Sequence, residues 1–235
     1  MSSFYSRDEI DEIGEGLIQV YKNQYPSKVI SYIYIEHFIT AFLGLDIEFV
    51  TFAEKDLGKI GFTSDGNAEL MICQNGRIIS FVFPEKNIII DKFLLSEKEY
   101  GRRRFIMAHE AAHIILNKME QSNKSHFHNE FDNERAYSVD ELRQMFSNAE
   151  WQADAMAASL LMPRFLVERA LVNSIKVYGE NILSNKDKKI IKDVSAFLGV
   201  SQSALIIRLE HLNMVEKLDM TEFVYKEILQ GGVLH

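Results

Sequence analysis

Apolar residues recur at three- and four-residue steps near the start of the chain. Ile10, Ile13, Leu17, Val20 and Tyr21 form one stripe, so residues 7–24 read as an amphipathic helix. Pro26 ends it. The apolar run that follows predicts a second helix over 27–43, stopped at Gly44. From residue 46 to 91 the pattern changes to short β-branched and aromatic runs at 47–52, 59–63, 68–73, 77–83 and 87–91. These predict strands, and Asn75-Gly76 between two of them predicts a hairpin. The resulting sheet is expected to be small and mostly antiparallel.

Helical periodicity returns at about residue 101. Residues 117–148 are polar and irregular, with Asn117, Asn123, Asn129 and Asn133 among them, and read as a long, mostly exposed insertion. Helices resume near Ser147, break at Pro163 and continue to about Leu229. The fold class is therefore α+β, a small sheet with a helical core followed by further helices. An N-terminal domain over 1–163, carrying the insertion 117–148, would precede a helical region over 164–235. No internal repeat or low-complexity tract interrupts this order.

Composition narrows the functional classes. The chain has 235 residues, 47% of them hydrophobic and 26% charged, which is ordinary for a globular protein. Its one cysteine, Cys73, excludes an internal disulfide and any multi-cysteine zinc knuckle and fits a reducing compartment. Cys73 itself reads as a small core residue of its strand. A net charge of −8 argues against non-specific binding to nucleic acid or anionic membrane. The first residues show no basic region followed by an apolar stretch, and the most apolar window, 29–50, is broken by Glu36, His37 and Asp46. A cytoplasmic location is expected.

The chemistry concentrates at His109-Glu110-Ala111-Ala112-His113. Two histidines four apart on a helix are turned by about 40° and separated by about 6 Å along the axis, so both can reach one ion. Glu110 follows the first at once and can direct its carboxylate at a water on that ion. Apolar residues fill and flank the motif, so the helix is expected to be buried, where a Glu with two His needs a compensating partner. A catalytic zinc-type site needs a third protein ligand and an open position. Glu150 can supply it from a second helix. Asp154, one turn later, can accept a hydrogen bond from the outer nitrogen of a ligand histidine. Two alternatives stand beside this. Ser147-Asn148-Ala149-Glu150 is also a capping-box pattern, and His126 and His128 in the insertion are rival ligands.

The two segments together resemble the ImmA/IrrE family of metallopeptidases. Arg104-Phe105-Ile106-Met107-Ala108 leads into the motif, and the run from Glu150 through Asp154 to Leu160-Leu161-Met162-Pro163 matches the downstream helix. The resemblance implies a zincin-like core with a gluzincin-like site. His109, His113 and Glu150 map to the metal ligands, Glu110 to the general base, and Asp154 to the group that orients a ligand histidine. It also implies one divalent ion, Zn2+ by default with Mn2+ or Fe2+ as alternatives. The insertion departs from the family pattern.

Residues 189–212 carry helix-turn-helix-like punctuation around Gly199-Val200-Ser201, with Val194, Phe197, Leu198, Leu205, Ile206 and Leu209 expected to bury between two helices. The second helix offers Arg208 but also Glu210, so packing is favoured over DNA reading. Arg102, Arg103 and Arg104 are expected to be solvated, and Trp151 to pack. Tyr137 and Tyr178 are candidates for stabilising an oxyanion. The leading reading is a metal-dependent endopeptidase, with a sheet edge before the motif aligning the substrate as an added strand. By resemblance, its substrate is a helix-turn-helix repressor of a stress or mobile-element programme. The alternative is a non-catalytic regulator that binds DNA or sequesters the repressor.

Overall fold

The computed structural model describes residues 5–28, 31–53, 58–120, 126–129, 147–178 and 188–215. Helix α1 (Arg7–Gln24) begins where the stripe does, because Ser6 and Glu9 close a reciprocal capping box. It ends at Tyr25, before Pro26, and buries Ile10, Ile18 and Tyr21.

The expected helix over 27–43 does not form as such. A 3-10 turn spans Pro26–Lys28, and helical structure returns only at Ile35–His37, running into a π-type turn, Phe38–Phe42, that ends before Gly44. Tyr32, Ile33 and Tyr34 lose side-chain freedom in a helix. Tyr32 and Tyr34 also stack at 4.7 Å, a contact between alternate residues that a helix forbids. The π-type turn brings Phe38, Phe42 and His37 onto Tyr21, whose hydroxyl lies 3.0 Å from His37 Nδ1.

Six strands form one sheet: β1 (Asp46–Phe52), β2 (Lys59–Thr63), β3 (Glu69–Gln74), β4 (Arg77–Val82), β5 (Asn87–Asp91) and β6 (His126–Asn129). Their order is β4-β3-β1-β5-β2-β6, and only the β1–β5 pair is parallel. Asn75 and Gly76, both at positive φ, make the β3–β4 hairpin turn, with Gln74 opposite Arg77. Burial along β3 alternates, with Leu70 and Ile72 inward. That phase turns Cys73 outward, so it is exposed and not a core residue.

The polar insertion contributes to the sheet. Helix α2 (Tyr100–Met119) runs past residue 117, and His126–Asn129 then pairs with β2 as the edge strand. The rest of 117–148 up to residue 146, Tyr137 included, lies outside the described residues.

Helix α2 crosses α3 (Asn148–Leu161) through fully buried Ala108, Ala111, Ala112, Ala153 and Ala157. Small side chains let the two backbones approach. Pro163 separates α3 from α4 (Arg164–Tyr178). Tyr178 closes α4.

Helices α5 (Lys188–Leu198) and α6 (Gln202–His211) form the expected bent pair, turned by 100°. Val194, Leu198, Leu205 and Leu209 are buried, but Phe197 is exposed and Ile206 half-buried. The apolar core is continuous from α1 through α6. Of the arginines before the motif, Arg102 and Arg103 stay partly exposed, but Arg104 is not solvated as expected. Arg104 is buried beneath Tyr32 and donates to the Leu198 carbonyl at 3.4 Å, while Arg103 donates to the Leu94 carbonyl at 2.9 Å. Among the described residues no single helix is long and apolar enough to cross a membrane.

Candidate metal centre

His109, Glu110 and His113 project from the middle of α2, where all three are buried. Glu150 reaches them from the first turn of α3. The Ser147 hydroxyl accepts from the Glu150 amide at 3.4 Å, so the cap half of the capping pattern forms. The Glu150 carboxylate, unlike that of Glu9 in α1, is directed at the two imidazoles. Its Oε2 lies 3.2 Å from His109 Nε2 and its Oε1 lies 3.3 Å from His113 Nε2. The two Nε2 atoms are 3.0 Å apart. For ligand bonds of about 2.0–2.1 Å, a tetrahedral site has edges of about 3.3–3.4 Å. The three donor atoms therefore fit one ion with little adjustment, and two imidazoles with a carboxylate are a zinc-type donor set.

Asp154, one turn beyond Glu150, lies 2.8 Å from His109 Nδ1. As a carboxylate it accepts that ring proton, which turns Nε2 toward the other two donors, where it can offer a lone pair to an ion once its own proton is lost. Burial pushes the His109 imidazole toward its neutral form. The hydrogen bonds to Asp154 and Glu150, with the charges of Asp154 and Glu110, outweigh it and raise the pKa to about 10. His113 moves the other way, because burial dominates and the Glu150 contact offsets only part of it. Burial raises the Glu150 carboxyl, but its hydrogen bonds to His109 and His113 hold it well below the usual range. Without a metal, His109 is therefore the member of the trio that holds an extra proton and faces Glu150 as an imidazolium.

Glu110 is held by a strand whose role the sequence did not reveal. The Thr63 hydroxyl donates to Glu110 Oε2 at 2.5 Å and lies 3.2 Å from the Glu110 carbonyl. A Cβ on Gly61 would sit 2.5 Å from Glu110 Oε1 and 2.9 Å from Ile106 Cγ2. Only glycine leaves that carboxylate its place. A glycine in the middle of a predicted strand signals such an approach, whereas nothing singled out Thr63.

The rival ligand His126 comes close without joining the cluster. Its ring stacks on His113 at 3.9 Å, and its Nδ1 is 4.0 Å from Glu150 Oε1. His128 takes its place on β6 opposite Gly61. Trp151 packs as expected, beneath Arg7 at 5.4 Å.

Arg208 is the basic side chain that α6 would offer to DNA. It is 1% exposed and points inward. Its Nε donates to the Met162 carbonyl at 3.0 Å, and its guanidinium meets Asp11 at 2.5 Å and Glu15 at 3.6 Å, both on α1.

No curated protein matches the chain. Residues 93–210, which span α2, α3 and the bent helix pair, match the family model described as the IrrE N-terminal-like domain. That match covers half of the chain, and it contains the histidine pair, Glu150 and Asp154. The chain belongs to this metallopeptidase family, the IrrE N-terminal-like domain.

Proposed function

We propose that the chain is a metal-dependent endopeptidase. His109, His113 and Glu150 hold one divalent ion, Zn2+ by default, and Asp154 orients His109. Bound there, the ion supplies Lewis acidity, which acidifies water and polarises a carbonyl. Glu110 is the general base. Its carboxylate takes a proton from the attacking water and later returns it to the leaving amine. Thr63 and Gly61 keep that carboxylate in one orientation while it does so. The observation that carries this reading is the 3.0–3.3 Å triangle of donor atoms.

A strand-like substrate suits the site. Among the described residues the sheet edge beside the metal centre is β6, which follows the motif and does not precede it, and its His126 borders Glu150. An extended peptide added to β6 would run past the donor cluster. The family resemblance points to a cytoplasmic helix-turn-helix repressor as the cleaved protein, with cleavage releasing a stress or mobile-element programme. A DNA-reading role is disfavoured by Arg208. Among the α6 side chains left exposed are Gln202, Ser203, Ile207 and His211, with neither Arg nor Lys.

The test is Glu110→Gln, assayed on a repressor encoded beside this chain. Zinc content should stay near wild type while cleavage falls by about 100-fold or more. Undiminished cleavage by this variant refutes the hydrolytic reading. Undiminished regulation without cleavage supports the sequestering one.

A further inference from the structure

A cavity of about 550 Å³ lies between α1, the start of α2, α3 and α6. That volume is within the usual range for small-molecule sites. It is not the metal cleft. None of His113, Glu150, Glu110 or His126 lines it. It meets the metal centre through Asp154, on the Nδ1 edge of His109, and through Phe105, whose ring lies 6.5 Å from that imidazole, whereas the donor triangle is on the Nε2 edge.

Its wall is apolar where Phe105, Trp151, Ala204 and Ile207 contribute, and Ile207 is 53% exposed. Three guanidinium groups border this apolar space: Arg7, Arg102 and Arg208. Arg208 is committed to Asp11 and Glu15, and Arg102 pairs with Glu99 at 3.1 Å. Arg7 differs. It lies over the Trp151 ring, and among the described residues its guanidinium makes no hydrogen bond. Asp11 and Asp154, the two carboxylates in the lining, are engaged by Arg208 and His109. His211, also in the wall, is pushed down by burial first and then by Arg7 and Arg208, against the opposing pull of Asp11 and Glu210. The cavity is therefore an apolar space with a cationic donor fork at its side.

We infer that this cavity binds a small amphipathic anion, with an aromatic or aliphatic body against Trp151, Phe105 and Ile207 and an acidic head on Arg7. Its occupancy is felt at the metal centre through Asp154, which both share. Binding does not depend on the metal assignment above. The coupling does.

The probe is 8-anilinonaphthalene-1-sulfonate, an apolar ring system with an anionic head, titrated into the full chain with and without zinc. Trp151 is the only tryptophan, so its emission reports this wall alone. Saturable one-to-one binding that quenches Trp151 is expected. Arg7→Gln should weaken it by about tenfold through the lost charge-assisted contacts. Ala204→Phe, which fills the space, and Ile207→Glu, which places a like charge in an exposed position of the wall, should each abolish it. Decanoate should displace the probe and decylammonium should not. Non-saturating binding, binding retained in both wall variants, or equal displacement by the cation overturns the site. Zinc should shift the probe's dissociation constant by at least about threefold, and the probe should shift zinc affinity by the same factor. Equal constants with and without zinc overturn the coupling. A chain that binds the probe but no zinc counts against the metal assignment and leaves the cavity standing.

Discussion

Gly61→Ala tests whether the sheet holds the general base. The added methyl would lie 2.5 Å from Glu110 Oε1, 2.9 Å from Ile106 Cγ2 and 3.1 Å from Glu110 Cδ. An ordinary carbon–oxygen contact is about 3.3 Å or more, so about 0.8 Å must be found. The carboxylate cannot simply swing away, because it is fully buried and its other oxygen accepts from Thr63 at 2.5 Å. Either Glu110 turns out of place or β2 separates from α2. Overpacking of this kind costs about 1–3 kcal/mol. In urea, with a slope of about 2–3 kcal/mol per molar for a chain of this size, the midpoint should fall by roughly 0.3–1.5 M. The measurement belongs on zinc-free protein, since bound metal adds its own stabilisation. His109, His113 and Glu150 do not touch the new methyl, so zinc content should hold. Displacing a catalytic group by most of an ångström should lower turnover by about 100-fold. Thr63→Val is the companion, since it loosens the same carboxylate without crowding it. If Gly61→Ala cleaves as fast as wild type, the cradle has no catalytic meaning.

Other perturbations reach the rest of the site. Asp154→Ala removes the acceptor from His109 Nδ1 and should weaken zinc binding by about 10- to 100-fold in a chelator competition, with Asp154→Asn in between. The extra proton on His109 gives a pH dependence. His109, with a pKa near 10, is protonated at neutral pH, while lowered His113 and Glu150 are not, so zinc must expel about one proton. Apparent zinc affinity should then rise about tenfold per pH unit between roughly pH 7 and 9, and calorimetry in buffers of different ionisation enthalpy would expose a wrong proton count. The sign reverses for the metal-free fold. The stabilisation carried by protonated His109 is complete below its unfolded pKa of about 6.5 and is lost as pH rises through about 10. Arg208→Met strands the Asp11 carboxylate, while Glu15 keeps the Arg164 amide, and should cost about 3 kcal/mol in denaturant unfolding, without changing affinity for duplex DNA.

What could be read from the sequence was whatever local pattern determines. The α1 stripe, the Asn75-Gly76 turn and the β5 run are each set within a few residues. The metal motif is likewise local, because a four-residue step on one helix brings His109 and His113 together. Glu150 was recognisable because its own helix carries Asp154 and a row of alanines that permit a close approach. The misreadings arose where distant contacts decide. Tyr32 and Tyr34 leave the helix pattern for an aromatic cluster anchored by Tyr21. His126–Asn129 has no strand pattern of its own and becomes one by completing the edge of β2. Arg104 and Arg208 look like surface charges until α5 and α6 fold back over α1 and α2.

Those two arginines also bear on why the helix-turn-helix-like unit is there. A buried guanidinium is costly unless its donors are matched, and a partner matched to it fixes geometry more than it adds stability. Arg104 leaves α2 five residues before His109 and bonds Leu198 at the turn between α5 and α6. Arg208 leaves α6 and bonds α1 and the end of α3 at Met162. The unit is thus pinned at two points to the helices that carry His109, His113 and Glu150, with Arg208 of its second helix turned toward the core. Those contacts tie its position to the positions of α2 and α3. A displacement of either helix by a fraction of the 3.0–3.3 Å between donor atoms would open the triangle. The bent pair is best understood as the clamp that holds that spacing.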